Sequence, residues 1–308
     1  MLQPQALEPE RSRNSVKANL ERVAVIGSNG QLGSELLRAF ADLDPIALDR
    51  TELDVEDPDS IDRAVAKHKP TFLIDTAAFH DVAKCEVDPG RAFAVNAVAV
   101  QRLAARANCG LAFISSDYVF EGTLGRPYTE ADEPRPVNVY GASKLAGERA
   151  ALAHPQGYVF RTAGLYSARA ASGKRYTFVQ RVLEQARTGE PIRVVDDITF
   201  SPSYAPHVAG FIRRILDLAP PGLYHTTNLG QCTWYEFAQA ALRLGGYQRA
   251  IEAIGSSAFD PSVRRPAYSA LEPAAARALG VPLPPPWAEG LADYVAAAGL
   301  GVPQPSPK

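Results

Sequence analysis

The 308-residue chain has no long apolar run, few cysteines and no surplus of either charge, and each shortage removes a class of function. Nothing in it approaches the roughly 18 consecutive apolar residues of a membrane-spanning helix. The opening stretch MLQPQALEPERSRNSVKANL mixes Pro, Gln, Glu and Arg where a signal peptide needs a hydrophobic block, so residues 1–20 are expected to form a flexible tail. The three cysteines, Cys85, Cys109 and Cys232, are far apart, odd in number and without the paired spacing of a zinc site. Neither a disulfide scaffold nor a metal site is expected, and a reducing cytoplasm is the simplest location. With 32 basic against 34 acidic side chains, the net charge of −2 offers no field for nucleic acid or an anionic membrane. What remains, 46% apolar and 21% charged, is ordinary for a soluble globular protein of one large or two smaller domains.

From Arg22 onward, short β-branched runs alternate with longer helix-period stretches, the pattern of a parallel sheet covered by helices. Seven runs read as strands: VAVIG (23–27), PIAL (45–48), TFLIDTA (71–77), LAFISS (111–116), YVFRTA (158–163), IRVVD (192–196) and GLYHTT (222–227). Helices are expected to begin near Gln31, Pro58, Pro89, Val137, Tyr176, Pro206 and Trp234, and Asp57-Pro58 and Asp88-Pro89 each pair an N-cap with proline at the first helical position. The fold class expected is α/β, a doubly wound parallel sheet of about seven strands with Rossmann topology, built from residues 21–163 and 192–229. After about Gly230 the alternation gives way to Pro-rich sequence such as PLPPPWAEGL, which predicts a smaller, mostly helical lobe formed by 164–191 and 230–303.

Gly27, Gly30 and Gly33 follow an apolar strand and open the helix QLGSELLRAF, the context a dinucleotide-binding glycine turn requires. Small residues there let the backbone approach a pyrophosphate, whose charge meets amide N–H groups at the positive helix end. At the end of the second strand, Asp49-Arg50 points both ways: a carboxylate suits the free ribose of NADH, a guanidinium the extra phosphate of NADPH. Asp54, in LDVED, suits either an adenine contact or a helix cap.

The chemistry is carried by three residues. Tyr140 and Lys144 form a Tyr-x-x-x-Lys pair, and Ser116 ends the fourth strand 24 positions upstream (140 − 116). Residues four apart share a helix face, so the Lys144 ammonium is expected beside the Tyr140 phenol, lowering its pKa from the ordinary value near 10. In an open α/β sheet the reactive crevice lies beyond the strand ends, where a serine hydroxyl and that helix face converge on one carbonyl. Ser116 is then a hydrogen-bond donor to the carbonyl oxygen, Tyr140 the proton donor, and Lys144 the residue that holds the ribose. Singly, each is also what a surface tyrosine, a solvated lysine or a strand-ending serine looks like; the combination with the glycine turn points to nicotinamide-dependent carbonyl reduction.

The runs SSDYVFEG and PYTEADEPRPVNVYGASKLAGE resemble the extended short-chain dehydrogenase/reductases, and within them the dTDP-4-dehydrorhamnose reductase family. The similarity extends through GSNGQLGSEL, LDRTELDV, AAFHDVAKCE, AFAVNA, RTAGLY, SPSYAPHVA, GLYHTT, TWYEFA and RRPAYSALE, leaving out only the first 20 residues and the last few. It implies that Ser116, Tyr140 and Lys144 are the catalytic trio, with Ser116 in place of the family's usual threonine. It implies cofactor contacts from Gly27, Asn29, Gly30, Gln31, Leu32, Asp49, Asp54, Val55, Ala77, Ala78 and the segment Arg161-Thr162-Ala163, to which Arg50 is added from the reading above. Asp117 and Val119 are implied to border the sugar, and Arg265 to hold the nucleotide diphosphate.

The chain departs from the family pattern in four places: Gly164 where a tryptophan borders the sugar, which predicts an open side of the pocket; Phe79-His80-Asp81-Val82-Ala83-Lys84-Cys85-Glu86 for Tyr-Thr-Ala-Val-Asp-Lys-Ala-Glu; Asp196-Asp197 for Asp-Gln; and Pro202-Ser203 for Pro-Thr. His80 is placed either as a second titrating group or as a polar rim residue. Glu35 matches a position where some relatives hold Mg2+ at a dimer contact, but no carboxylate cluster accompanies it, and a solvated glutamate is expected. The reading is an NAD(P)H-dependent reductase, monomer or homodimer, of a nucleotide-linked 4-keto sugar, most simply giving dTDP-L-rhamnose. A reductase or epimerase of another sugar nucleotide is the alternative within enzymes. From a different class comes a non-catalytic dinucleotide-binding regulatory subunit like the methionine adenosyltransferase partner.

Overall fold

The computed structural model describes residues 18–106, 109–168, 177–259 and 263–300. The expected tail therefore lies, up to residue 17, outside the described residues, as does the expected helix start at Tyr176. In chain order, β1 (Val23–Ile26), α1 (Gln31–Ala39), β2 (Ile46–Leu48), α2 (Pro58–His68) and β3 (Phe72–Asp75) form the first winding. It continues through α3 (Val82–Val87), α4 (Pro89–Phe93), a π turn (Ala94–Val98), α5 (Ala99–Arg106), β4 (Gly110–Ser116), α6 (Val139–Leu152) and β5 (Gly157–Thr162). There follow β6 (Leu165–Tyr166), α7 (Phe178–Thr188), β7 (Arg193–Val195), β8 (Thr199–Phe200), β9 (Ser203–Tyr204), α8 (Ala205–Leu218) and β10 (Gly222–His225). The remainder is β11 (Cys232–Thr233), α9 (Trp234–Leu244), β12 (Glu252–Ile254), α10 (Ser256–Phe259), α11 (Ala274–Ala278) and α12 (Trp287–Ala297).

Six strands make one parallel sheet in the order β10-β5-β4-β3-β1-β2. Because successive side chains of a strand face opposite ways, β1 sends Val23 and Val25 into one core and Ala24 and Ile26 into another. On the first face Leu32, Leu36 and Phe40, spaced by four, bring α1 and its next turn onto the sheet with α8. The second is covered by α2, α5 and α6 through Ile61, Val100, Leu103 and Ala151. Each fully buried Leu, Ile or Phe here contributes roughly 1.5–3 kcal/mol through removal from water. Among the described residues no helix is long and apolar enough to cross a membrane.

One expected strand sits elsewhere. The run 192–196 was expected in the main sheet, but its Arg193–Val195 portion pairs in parallel with Glu252–Ile254, and Ile192 and Val194 join the lobe's core. A short apolar run specifies a buried strand without specifying its partner. The lobe is held by an aromatic cluster of Tyr166, Phe200, Tyr204, Phe237 and Tyr294 against α7, α9 and α12.

Candidate active site

Strand order reverses at β1, with β2 on one side and β3 on the other, so a crevice opens beyond their carboxyl ends. The glycine turn lies there. Gly27 adopts φ +74°, a left-handed conformation costly for other residues, and a Cβ on it would strike Thr76 Oγ1; a Cβ on Gly33 would overlap the Gly27 carbonyl. The helix it opens is left uncapped: Gly30 is the N-cap and supplies no side-chain bond to the first amides of α1. By contrast, α2, α3, α4, α6, α7 and α9 carry side-chain caps from Asp57, Asp81, Asp88, Asn138, Thr177 and Thr233. A backbone cradle beside an uncapped helix N-terminus fits the pyrophosphate of a dinucleotide.

A cavity of about 940 Å³ runs from this turn to the lobe. Gly27, Arg50, Asp54, Val55, Ala77 and Ala78 line its cofactor side. Asp49 is not on that wall: its Oδ1 accepts from Thr51 N at 2.8 Å, Thr51 Oγ1 at 2.6 Å and Glu52 N at 3.2 Å, and its Oδ2 accepts from Asn29 Nδ2 at 3.0 Å. These bonds hold its carboxyl below the usual range, Thr51 first. Arg50 bonds Asp54 at 3.2 Å and Glu56 at 3.0 Å, and Arg91, also on the wall, grips Glu56 with two nitrogens. Leu32 is buried in the core and Gln31 stands in the first turn of α1.

Ser116 lies at the end of β4, and Tyr140 and Lys144 lie in the first turns of α6. The Ser116 side chain donates to Asp117 Oδ1 at 2.9 Å and accepts from Tyr118 N at 3.2 Å, and its hydroxyl pulls the pKa of the nearby Tyr140 phenol down. Asn138 caps α6 by accepting from Gly141 N at 2.8 Å, and a Cβ on Gly141 would overlap the Tyr118 carbonyl, so only glycine lets the helix press this close to the serine. Tyr118, on the cavity wall, meets Tyr140 edge-on with centroids 5.8 Å apart. Tyr140 keeps some exposed surface, whereas Lys144, one turn on, is 2% exposed with its Nζ 4.0 Å above the Phe113 ring.

The expectation of a lowered Tyr140 pKa is corrected. Burial pushes the phenol well above its ordinary range; the Ser116 hydroxyl pulls it down, while the charge of Asp117 and the nearby Cys85 and Tyr118 push it up. Lys144 is itself lowered by burial, opposed by Asp75 and Glu148, so its charge is shared with these carboxylates beneath the helix. Asp75 is raised by burial against the pull of Lys144 and a bond from Ala77 N.

Other expected residues stand behind the wall. Arg161 is buried, its Nε and Nη2 on Glu148 at 2.8 and 2.6 Å, under the ring of Phe120 at 4.9 Å. Thr162 is buried nearby, and Val119 and Ala163 pack with Phe120, Tyr128 and Leu271 in a small core of their own. Asp117, 4% exposed, accepts from Ser116 Oγ at 2.9 Å and from Ser269 Oγ at 2.5 Å, and burial raises it to about 6. Arg265 does reach the cavity and hydrogen-bonds the Tyr118 side chain. His80 is an exposed residue of the rim. Glu35, expected to be solvated, is instead buried and engaged by Arg38 at 2.6 Å, and among the described residues no three His, Cys, Asp or Glu side chains gather to hold a metal.

Gly164 does not leave its side open. A Cβ there would overlap the ring of Phe200, which stacks on Trp234 at 4.0 Å and occupies that space. Sequence reasoning also missed the lobe's wall of Phe178, Arg181, Arg193 and Trp234. Phe178 and Trp234 each follow a capping box, Thr177 with Gln180 and Thr233 with Glu236; that signature marks where a helix starts but not which cavity it faces. Asn96, fully buried in the π turn, was missed as well: it bonds both backbone groups of Phe79 and Ser143 Oγ, tying the cavity-lining loop to α6.

A dinucleotide cradle at the reversal point of a parallel sheet, with Ser, Tyr and Lys at the ends of β4 and α6, defines an extended short-chain dehydrogenase/reductase. The profile of the RmlD substrate binding domain matches residues 21–299. Over 297 residues the chain is 36% identical to the dTDP-4-dehydrorhamnose reductase of Mycolicibacterium smegmatis, covering 93% of this chain and 88% of that protein. Over 282 residues it is 33% identical to the spore coat polysaccharide biosynthesis protein SpsK of Bacillus subtilis, covering 90% and 97%. The crystal structure of dTDP-4-dehydrorhamnose reductase from Bacillus anthracis in complex with NADP superposes with a TM-score of 0.83 at 29% identity, covering 90% of this chain and 99% of that one. The chain belongs to the dTDP-4-dehydrorhamnose reductase family.

Proposed function

We propose that this protein reduces the C4 keto group of a nucleotide-linked 6-deoxy sugar, converting dTDP-4-dehydrorhamnose to dTDP-L-rhamnose in the cytoplasm. The reading is supported by Ser116 at the end of β4 and Tyr140 and Lys144 in the first turns of α6, in a sheet that carries the glycine turn and in a chain 36% identical to a reductase of that name. The residues of the turn, with Ala77 and Ala78, fit a nicotinamide dinucleotide, which when bound supplies the hydride. Tyr140, raised by burial, keeps its proton at neutral pH and delivers it to the oxygen that the hydride leaves negative. Lys144, one turn along α6 from Tyr140, and Ser116, whose hydroxyl pulls the phenol's pKa down against burial, complete the proposed trio. Arg181, Arg193 and Arg265, on the lobe side formed by 164–191, 230–303 and the strand 193–195, suit a nucleotide diphosphate.

NADPH is the coenzyme favoured. Arg50 and Arg91 line the cavity together with Asp54 and Glu56, which they pair with, while Asp49 is consumed by its own loop; two guanidinium groups are thus within reach of a 2′-phosphate at the ribose end. Purified protein offered NADPH and a panel of 4-keto sugar nucleotides tests the reading: oxidation is expected with dTDP-4-dehydrorhamnose. Tyr140→Phe is expected to abolish turnover while NADPH still binds. Oxidation with no member of the panel would leave a dinucleotide-binding regulatory subunit as the better account, and preference for another sugar would move the assignment within the family.

A further inference from the structure

The stretch 264–269 belongs to the lobe, yet it touches an immediate neighbour of each of two catalytic residues. Asn138, the cap of the helix that carries Tyr140, donates from Nδ2 to the Arg264 carbonyl at 3.0 Å. Arg265 hydrogen-bonds Tyr118, the residue edge-on to Tyr140. Ser269, 1% exposed, donates to Asp117 Oδ2 at 2.5 Å, while Ser116 donates to Oδ1 of the same carboxylate at 2.9 Å. The stretch is fixed from the lobe side by Thr199, whose N–H donates to the Ala267 carbonyl and whose carbonyl accepts from Ser269 N.

A serine hydroxyl has one proton. The ionised carboxylate accepts and cannot donate, so the proton of Ser116 points at Asp117, and its oxygen accepts from Tyr118 N at 3.2 Å. Without Asp117 the rotor could turn its proton toward Tyr140 and displace the phenolic proton from its line of transfer. We propose that Asp117, aligned by Ser269, is the positioning residue that sets the hydroxyl rotor of the catalytic Ser116, so that seating of the lobe segment 264–269 orders the proton donor. Neither residue touches the reacting atoms; both act through Ser116. Among the described residues, the titratable side chains that feel this carboxylate's charge include Tyr118 and Tyr140, and Arg265 acts on Tyr118 in turn.

This inference rests on the reductase reading, and two measurements separate their failures. In steady-state kinetics with NADPH and dTDP-4-dehydrorhamnose, Ser269→Ala is expected to lower kcat on the order of tenfold to a hundredfold, with KM for both substrates and the melting temperature little changed. Ser269→Thr, which keeps the hydroxyl, is expected to restore most of the rate. Equal loss in the alanine and threonine variants, or a loss shared with NADPH binding, would mean that Ser269 only packs the lobe. The second measurement needs no sugar: in protein carrying 13C-carboxyl aspartate, the resonance lost in Asp117→Asn is expected to titrate near 6, as burial sets it, and higher in Ser269→Ala, because a hydrogen bond to the charged form is gone. An unmoved titration overturns the coupling even if the wild-type protein reduces no sugar offered; an absent wild-type turnover with the expected titration faults the reductase reading alone.

Discussion

Replacing Glu148 by Gln tests how the catalytic helix is held. Glu148 lies on α6 one turn after Lys144, and both it and Arg161 on β5 have side chains 2% exposed. Its Oε1 accepts from Arg161 Nε at 2.8 Å and from Ser115 Oγ at 2.5 Å, and its Oε2 accepts from Arg161 Nη2 at 2.6 Å. Removing the charge strands a buried guanidinium, a defect of about 3–5 kcal/mol. For a chain of this size that corresponds to a fall of roughly 5–8 °C in melting temperature. Activity should respond too, because Glu148 is one of the carboxylates that raise the Lys144 pKa against burial. With that support gone and Arg161 unpaired, Lys144 loses its proton at lower pH, so the alkaline limb of activity is expected to move acidward. The control is Glu148→Leu combined with Arg161→Met, which removes both charges and is expected to recover stability relative to the single variant. Thermal and urea unfolding of the three proteins checks the argument. A single variant within about 1 kcal/mol of wild type, or a double variant no more stable than the single, would refute the claim that this pair anchors the helix.

Coenzyme choice is expected to depend on Arg50: Arg50→Ala should raise KM for NADPH on the order of tenfold to a hundredfold while leaving NADH nearly unchanged, as expected when a charged hydrogen bond to phosphate is lost. Asp49→Ala, by contrast, should mainly loosen the loop it caps, since its oxygens are taken by Thr51, Glu52 and Asn29; a clean shift of preference toward NADPH without loss of stability would contradict that assignment. His225 is fully buried and its pKa is lowered to about 3, first by burial and then by Arg161. The folded state refuses a proton that the unfolded chain accepts below about pH 6.5, so this group costs stability as pH falls from 6.5 toward 3. Burial raises Asp117 in the opposite sense, binding its proton near pH 6 and adding stability as pH falls toward 4. The difference isolates the histidine: His225→Asn is expected to lose up to about 3 kcal/mol less than wild type between pH 6.5 and 4, measured by urea unfolding, and parallel pH curves would exclude a neutral buried imidazole.

Local pattern carried much of this molecule. The α/β alternation and the places where the helices begin were legible because periodicity and N-caps are properties of neighbouring residues, as at Asp57-Pro58 and Asp88-Pro89. The glycine turn was legible for the same reason, and Tyr140 with Lys144 by their shared helix face. Ser116 needed only the rule that chemistry gathers at strand ends.

What the order of residues could not state is which distant groups meet, because burial and pairing are set by contacts across the whole chain. The run 192–196 had the composition of a central strand, but its partner turned out to be Glu252–Ile254. Arg161 read as a cofactor residue until the fold enclosed it with Glu148. The pKa of Tyr140 was expected to follow the nearest lysine in sequence, whereas desolvation, a property of packing alone, decides it. The sequence by itself determined the fold class and the glycine turn and named the candidate trio; only the tertiary structure decided which charges are buried, which residues reach the cavity, and that a serine from the far lobe stands on the carboxylate beside Ser116.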